Sequence, residues 1–178
     1  MQHKISNSFV EIKVNDLGAE LCSLKRKDDK IEYIWQGDKK YWSRHAPILF
    51  PIVGKLLDNE YIHENKIYKM NQHGFIRDTM FMLIKKEHDS LCFKVESSPE
   101  TLKIYPFKFE IYVTYTLKKS TVDISYKVVN KSNKIMLFSI GSHPAFNWPL
   151  ENENKNDYYL EFQDTNTLER VPLTDKGI

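Results

Sequence analysis

Hydrophobic and polar positions alternate with a period of two along much of this chain, and the alternation marks out its strands. Val10, Ile12 and Val14 alternate with Glu11 and Lys13, and Asp16-Leu17-Gly18 then turns the chain. Ala19, Leu21 and Ser23 share one face of a second strand. The polar run Lys25 to Lys30 connects it to a third, Ile31-Glu32-Tyr33-Ile34-Trp35. Three antiparallel strands are predicted before Gln36-Gly37-Asp38, and Asn59 to Tyr68 reads as a weaker hairpin. Leu91, Phe93 and Val95 alternate with Cys92 and Lys94. From Phe109 to Leu117 the pattern is unbroken, which predicts a long strand with one buried face. Lys118-Lys119-Ser120 turns it back into Val122, Ile124, Tyr126 and Val128. Asn130-Lys131-Ser132-Asn133 turns it again into the apolar run Ile135 to Ile140, so a three-strand meander is expected to end at Ser139-Ile140-Gly141-Ser142-His143-Pro144-Ala145-Phe146-Asn147. After a polar loop from Glu151 to Asp157, Tyr158, Leu160 and Phe162 resume a strand, and another is expected around Leu168 to Leu173.

Two stretches break the alternation. Tyr41 to Gly54 holds Pro47 and Pro51, each of which removes a ladder donor, yet it is too apolar for an exposed loop. A buried, irregular segment is expected there, with Arg44 at its entrance. That guanidinium either caps a carbonyl or pairs with an acid, or it offers its fork to a polyol or phosphate. In Met70-Asn71-Gln72-His73-Gly74-Phe75-Ile76-Arg77-Asp78, four hydrogen-bonding side chains crowd a glycine that permits close backbone approach. The cluster either meets a polar ligand or is an Arg77–Asp78 pair beside a surface turn histidine. At the end of the meander, Pro144 keeps His143 on extended backbone, where an imidazole can transfer protons near neutral pH or can simply be packed.

Composition agrees with the strand reading. Aromatic residues make up 13% of the chain, whereas the best helix former occurs only at Ala19, Ala46 and Ala145. The 178 residues suit a single β-sandwich domain spanning 1–178. With 26 basic against 24 acidic residues, a net charge of +2 gives no electrostatic case for nucleic acid or an acidic membrane. Cys22 and Cys92 are expected as reduced thiols. The first residues lack the apolar core of a signal peptide, and the run Ala46 to Gly54 is too short to span a bilayer, so a soluble cytoplasmic protein is expected.

The six histidines show no HExxH or paired-ligand spacing, which argues against a metal site, and no cofactor is implied. No GxSxG elbow, phosphate-cradling glycine loop or nucleophilic cysteine occurs. Proton transfer on a bound polar ligand is the chemistry that remains. Opening a sugar hemiacetal needs one group to take the anomeric hydroxyl proton and another to protonate the ring oxygen. A histidine can be the acid and a carboxylate the natural base.

Arg44-His45-Ala46-Pro47-Ile48-Leu49-Phe50-Pro51-Ile52-Val53-Gly54, Gln72-His73-Gly74-Phe75-Ile76-Arg77-Asp78 and Ser139 to Asn147 resemble three successive signatures of the aldose 1-epimerase (galactose mutarotase) superfamily, in particular the bacterial branch that includes hexose-6-phosphate mutarotases. The resemblance covers essentially the whole chain. It implies an all-β fold, an antiparallel β-sandwich of the galactose mutarotase-like supersandwich type, incomplete at its C-terminus, with a sugar cleft on one sheet. It implies an isomerase that interconverts α and β anomers of a hexose or hexose phosphate. By resemblance His143 is the general acid, His73 holds the sugar near its ring oxygen, and Arg44 and Arg77 line the site with Gln72. Phe146 forms a wall for the sugar ring or fills the core. The partner implied is a small sugar or sugar phosphate.

Family members run well past residue 178, and their glutamate base comes from a later strand. Glu151, Glu153, Glu161 and Glu169 match no base motif and stay unassigned. The chain therefore reads as C-terminally truncated, or as one whose remaining half is supplied in trans. The alternatives are a non-catalytic carbohydrate-binding or sensing domain that lacks the base, and an interaction domain in which both histidines are structural. An exposed sheet edge favours a homodimer.

Overall fold

The computed structural model describes residues 1–151, 154–159, 161, 172 and 174. Its first sheet has the order β1-β2-β3, all antiparallel: β1 is Gln2–Ser6, β2 is Val10–Asn15 and β3 is Leu21–Arg26. The expected alternation holds in β2, where Val10, Ile12 and Val14 are buried. The third member of the sheet is β1, not Ile31–Trp35. The reason is Glu32, whose carboxylate takes the place of a ladder. Its Oε1 accepts from the Leu24 and Ile34 N–H groups at 2.8 and 3.1 Å, and its Oε2 from the Ser23 hydroxyl at 2.6 Å. Only an isolated bridge joins Lys25 to Glu32.

A two-residue strand, β4 (Ile48–Leu49), follows, then the hairpin of β5 (Glu60–His63) and β6 (Lys66–Lys69). Glu64 and Asn65 at its tip both have positive φ, as a tight two-residue hairpin turn requires. The second sheet is antiparallel in the order β10-β9-β8-β7, from β7 (Met82–Lys86), β8 (Ser90–Glu96), β9 (Phe109–Lys118) and β10 (Thr121–Asn130). Between β8 and β9 lies a helix that the strand-rich composition did not announce, α1 (Pro99–Ile104). Ser98 caps it reciprocally with Thr101, and Pro99 takes the first turn, where its missing N–H costs nothing.

The two sheets enclose one core. Ile12 and Val14 from the first share it with Leu91, Phe93, Ile111, Val113 and Tyr115 from the second. Each such buried side chain contributes about 1.5–3 kcal/mol. The Tyr115 hydroxyl ties the layers together by donating to the Ala19 carbonyl at 2.7 Å. The protein is an antiparallel β-sandwich with Cys22 and Cys92 free on separate sheets. No helix among the described residues is long and apolar enough to cross a membrane.

The stretch after β10 does not complete a meander. It leaves the sheet and runs antiparallel to the buried segment Ala46 to Pro51. There β11 (Gly141–Ser142) pairs with β4, the Ser139 N–H donates to the Pro51 carbonyl at 2.8 Å and the His143 N–H to the Pro47 carbonyl at 3.0 Å. Prolines cannot donate, but their carbonyls accept, so this two-proline segment offers a one-sided ladder. Ile135 and Leu137 are correspondingly 81% and 71% exposed, while Met136 and Ile140 pack on the core. The residues around Tyr33 to Trp35 join from the other side, with the Trp35 N–H donating to the Ala145 carbonyl at 2.9 Å and the Asn147 N–H to the Tyr33 carbonyl at 2.8 Å. The strands expected through Leu160 and Phe162 and around Leu168 to Leu173 fall mostly outside the described residues.

Candidate functional site

His73 and Gly74 both adopt left-handed backbone, with φ of 66° and 71°, at the start of a tight turn that continues through Ile76–Asp78. The turn hangs on one carbonyl: the Phe75 and Ile76 N–H groups donate to Phe50 O at 3.1 and 3.4 Å. The chain thus turns over the buried Phe50 and lifts His73 to the surface. Gly54 then fixes the ring. The His73 N–H donates to the Gly54 carbonyl at 2.8 Å, and the Gly54 N–H donates to His73 Nδ1 at 3.0 Å. Because Nδ1 accepts, the neutral ring carries its proton on Nε2 and presents it as a donor.

Burial above all, then the nearby Arg77, His143 and Arg44, push the His73 imidazole below its ordinary value of 6.5. The folded ring therefore takes up a proton less readily than the unfolded one. Its contribution to stability is intact above pH 6.5 and is lost as the pH falls below that value. We expect an NMR titration of the His73 ring to show a midpoint below 6.5. A midpoint at or above it would contradict the burial of the ring beside these cationic groups.

His143 arrives at the end of β11, held by its backbone bond to Pro47. Its side chain is exposed, and its ring centroid lies 6.4 Å from that of His73 and 5.3 Å from that of Trp42. Two imidazoles from separate signatures thus face one another at the protein surface.

The arginines gather on Asp78. Arg44 Nη2 donates to Asp78 Oδ1 at 2.8 Å, and Arg77 Nε lies 3.7 Å from Oδ2. Arg77 also donates from Nη2 to the Gln72 carbonyl at 2.9 Å, while its buried Nε lacks a hydrogen-bond partner. Burial and the neighbouring Arg44 both work against the Arg77 charge, and Asp78 opposes them. Asp78 faces guanidinium groups through both oxygens, so it anchors the arginines. Gln72 contributes its carbonyl, and its side chain is exposed.

Phe146 is not brought to the imidazoles. It alternates with His143 along the extended segment and lines a cavity of about 180 Å³ with Ile34, Tyr115, Ile124, Tyr126 and Pro144. At 57% exposure it does not fill the core. A larger cavity of about 480 Å³, between Phe9, Leu24, Tyr33 and Ser120, touches none of these residues. Of the unassigned glutamates, Glu151 and Glu161 are exposed, and Glu153 and Glu169 fall outside the described residues.

The family model for aldose 1-epimerase matches residues 1–177. The chain belongs to the aldose 1-epimerase family. The chain is similar to the plasmid-encoded protein LacX of Lactococcus lactis subsp. lactis, 37% identical over 171 residues, with 92% of this chain and 57% of that protein covered. Among solved structures it is similar to a galactose mutarotase related enzyme from Lactobacillus acidophilus, with a TM-score of 0.86 and 41% identity over 88% of this chain and 53% of that one. A galactose mutarotase-like protein from Lactobacillus casei gives a TM-score of 0.81 and 43% identity over 83% of this chain and 50% of that one. The chain spans about half the length of these relatives.

Within this aldose 1-epimerase fold, three residues of the site take roles that the sequence did not assign to them. Gly54 ends the first signature, but its role is a backbone bond that no side-chain pattern reveals. Asp78 was legible as the partner of Arg77, and the fold adds Arg44 to it. Trp42 stands just before the first signature, and its aromatic character was the only signal available.

Proposed function

We propose that this chain acts on a hexose or hexose phosphate and interconverts its α and β anomers by acid–base ring opening. The observation that carries this reading is the approach of the His73 and His143 rings to 6.4 Å, beside two arginines, at an exposed surface. In the proposed step a base removes the proton of the anomeric hydroxyl, the C1–O bond to the ring oxygen breaks as the C1 carbonyl forms, and His143 delivers its proton to the departing ring oxygen. Rotation about C1–C2 and reclosure on the other face of the carbonyl give the opposite anomer. His73, with its proton on Nε2, donates a hydrogen bond near the ring oxygen and keeps the sugar in register. Arg44, Arg77 and Gln72 meet the sugar hydroxyls or a phosphate. Two guanidinium groups gathered on Asp78 beside the imidazoles support an anionic or polyol ligand there. Phe146 joins the proposal only as part of a more distant apolar wall.

The base is a carboxylate that none of the assigned residues supplies, which keeps a carbohydrate-binding or sensing domain as the second reading. We place the protein in the cytoplasm as one domain over 1–178. Pairing of two copies is part of the proposal, supported by β10, which ends its sheet with no strand beyond it among the described residues. The deciding experiment is anomer exchange of glucose, galactose and glucose 6-phosphate by magnetisation-transfer NMR, with the spontaneous rate subtracted. Exchange above the spontaneous rate for one of these sugars is the expected result. Sugar-dependent shifts in the protein spectrum without exchange would favour the binding domain.

A further inference from the structure

Trp42 is held by its backbone before its side chain does anything. Its N–H donates to the Asp38 carbonyl at 2.9 Å, as does that of Tyr41 at 3.0 Å, and its own carbonyl accepts from Trp35 Nε1 at 2.8 Å. The Trp35 and Tyr41 rings meet edge-on at 6.3 Å and brace the same loop. From this fixed point the indole reaches His143, with ring centroids 5.3 Å apart and planes tilted by 48°. His143 sits between this indole and His73, on an exposed strand end that otherwise leaves its ring free to change rotamer.

A general acid has to be held close to its productive position, because a misplacement of about 1 Å can cost about 10²-fold in rate. An aromatic wall also attracts the cationic form of an imidazole across its face. We propose that Trp42 is a positioning residue for His143: its indole fixes the rotamer that aims the imidazole at the sugar ring oxygen and holds the imidazolium there between proton transfers. This rests on the mutarotase reading above, but the contact itself can be tested without it. The titratable and charged groups on the Trp42 loop are Asp38, Lys39, Lys40, Tyr41 and Arg44; His73 stands opposite His143, with Arg77 and Asp78 beyond it.

The experiment compares wild type with Trp42→Phe, Trp42→Ala, His143→Gln and His73→Gln. A protonated imidazole quenches an adjacent indole. The emission assigned to Trp42, taken as wild type minus Trp42→Phe so that Trp35 and Trp148 cancel, is therefore expected to fall with decreasing pH. The fall should vanish in His143→Gln and persist in His73→Gln. In anomer exchange, Trp42→Ala is expected to lower kcat by about 10- to 100-fold with KM within about twofold, and Trp42→Phe to recover most of the loss. A Trp42 emission that does not change with pH, or a Trp42→Ala enzyme with wild-type kcat, overturns the proposal. Wild-type protein that shows the His143-dependent quenching but no exchange counts against the mutarotase reading alone and leaves the Trp42–His143 contact standing.

Discussion

Replacing His143 with alanine is expected to slow protein-driven anomer exchange by about 10²- to 10⁴-fold, which brings it close to the spontaneous rate. That is about 3–5 kcal/mol of barrier, the share that a positioned proton donor supplies. The fold should survive. His143 is exposed, and the bond that holds its segment, N–H to the Pro47 carbonyl, belongs to the backbone and remains after the substitution. Its ring contacts with Trp42 and His73 lie at the surface, where a substitution usually changes stability by no more than about 0.5 kcal/mol. Magnetisation-transfer rates measured beside a urea melt separate the two effects. A His143→Ala protein that exchanges anomers as fast as wild type would remove His143 from the mechanism. One that fails to fold would make the residue structural. His73 does not offer so clean a test, because its ring also accepts the Gly54 N–H, and removing it leaves that donor unpaired beside the site.

The sequence was most legible where one face of a strand is buried and the other wet. β9 and β10 pair in full register from Phe109↔Asn130 to Lys118↔Thr121, as the alternation from Phe109 to Val128 predicts. β1 was hidden because Gln2-His3-Lys4-Ile5-Ser6 buries only Ile5, and a single apolar residue has no period. Ile31 to Trp35 has the right period but loses its ladder to the side chain of Glu32. The run Ile135 to Ile140 looked like a return strand. It pairs instead with the carbonyls of Pro47 and Pro51, acceptors that composition marks only as strand breakers. α1 buries no residue fully, so it left no apolar stripe. Its one readable mark was the cap at Ser98-Pro99-Glu100-Thr101. At the site, local crowding of polar residues singled out His73 and Arg77, and an imidazole before Pro144 at the end of an apolar run singled out His143, since chemistry concentrates on irregular backbone. That these residues meet follows from the pairing of β4 with β11, which a two-residue ladder does not announce in sequence.

The largest expected stability effect lies beneath the site. Gly74→Ala is expected to cost about 3–5 kcal/mol, a large share of a typical total stability of about 5–15 kcal/mol. Two penalties add. At φ of 71° a Cβ carries the left-handed strain of about 1–2 kcal/mol. The larger one is contact, because the new Cβ would stand 2.1 Å from Phe50 O and 2.5 Å from Phe50 C, both backbone atoms. Neither can give way cheaply. Phe50 O accepts from Phe75 and Ile76, and the fully buried Phe50 ring is packed among Phe75, Tyr105 and Phe109 at centroid distances of 5.4–6.4 Å. Relief requires the turn that carries His73 to lift off the core, so the same substitution dismantles the site. Gly54→Ala is the matched control. Its φ of 87° imposes the same kind of strain, but nothing lies within 4 Å of the added Cβ, so only about 1–2 kcal/mol should be lost. Urea denaturation of the two variants side by side measures the difference directly. A Gly74→Ala protein no less stable than Gly54→Ala would show that the Phe50 carbonyl does not hold this turn.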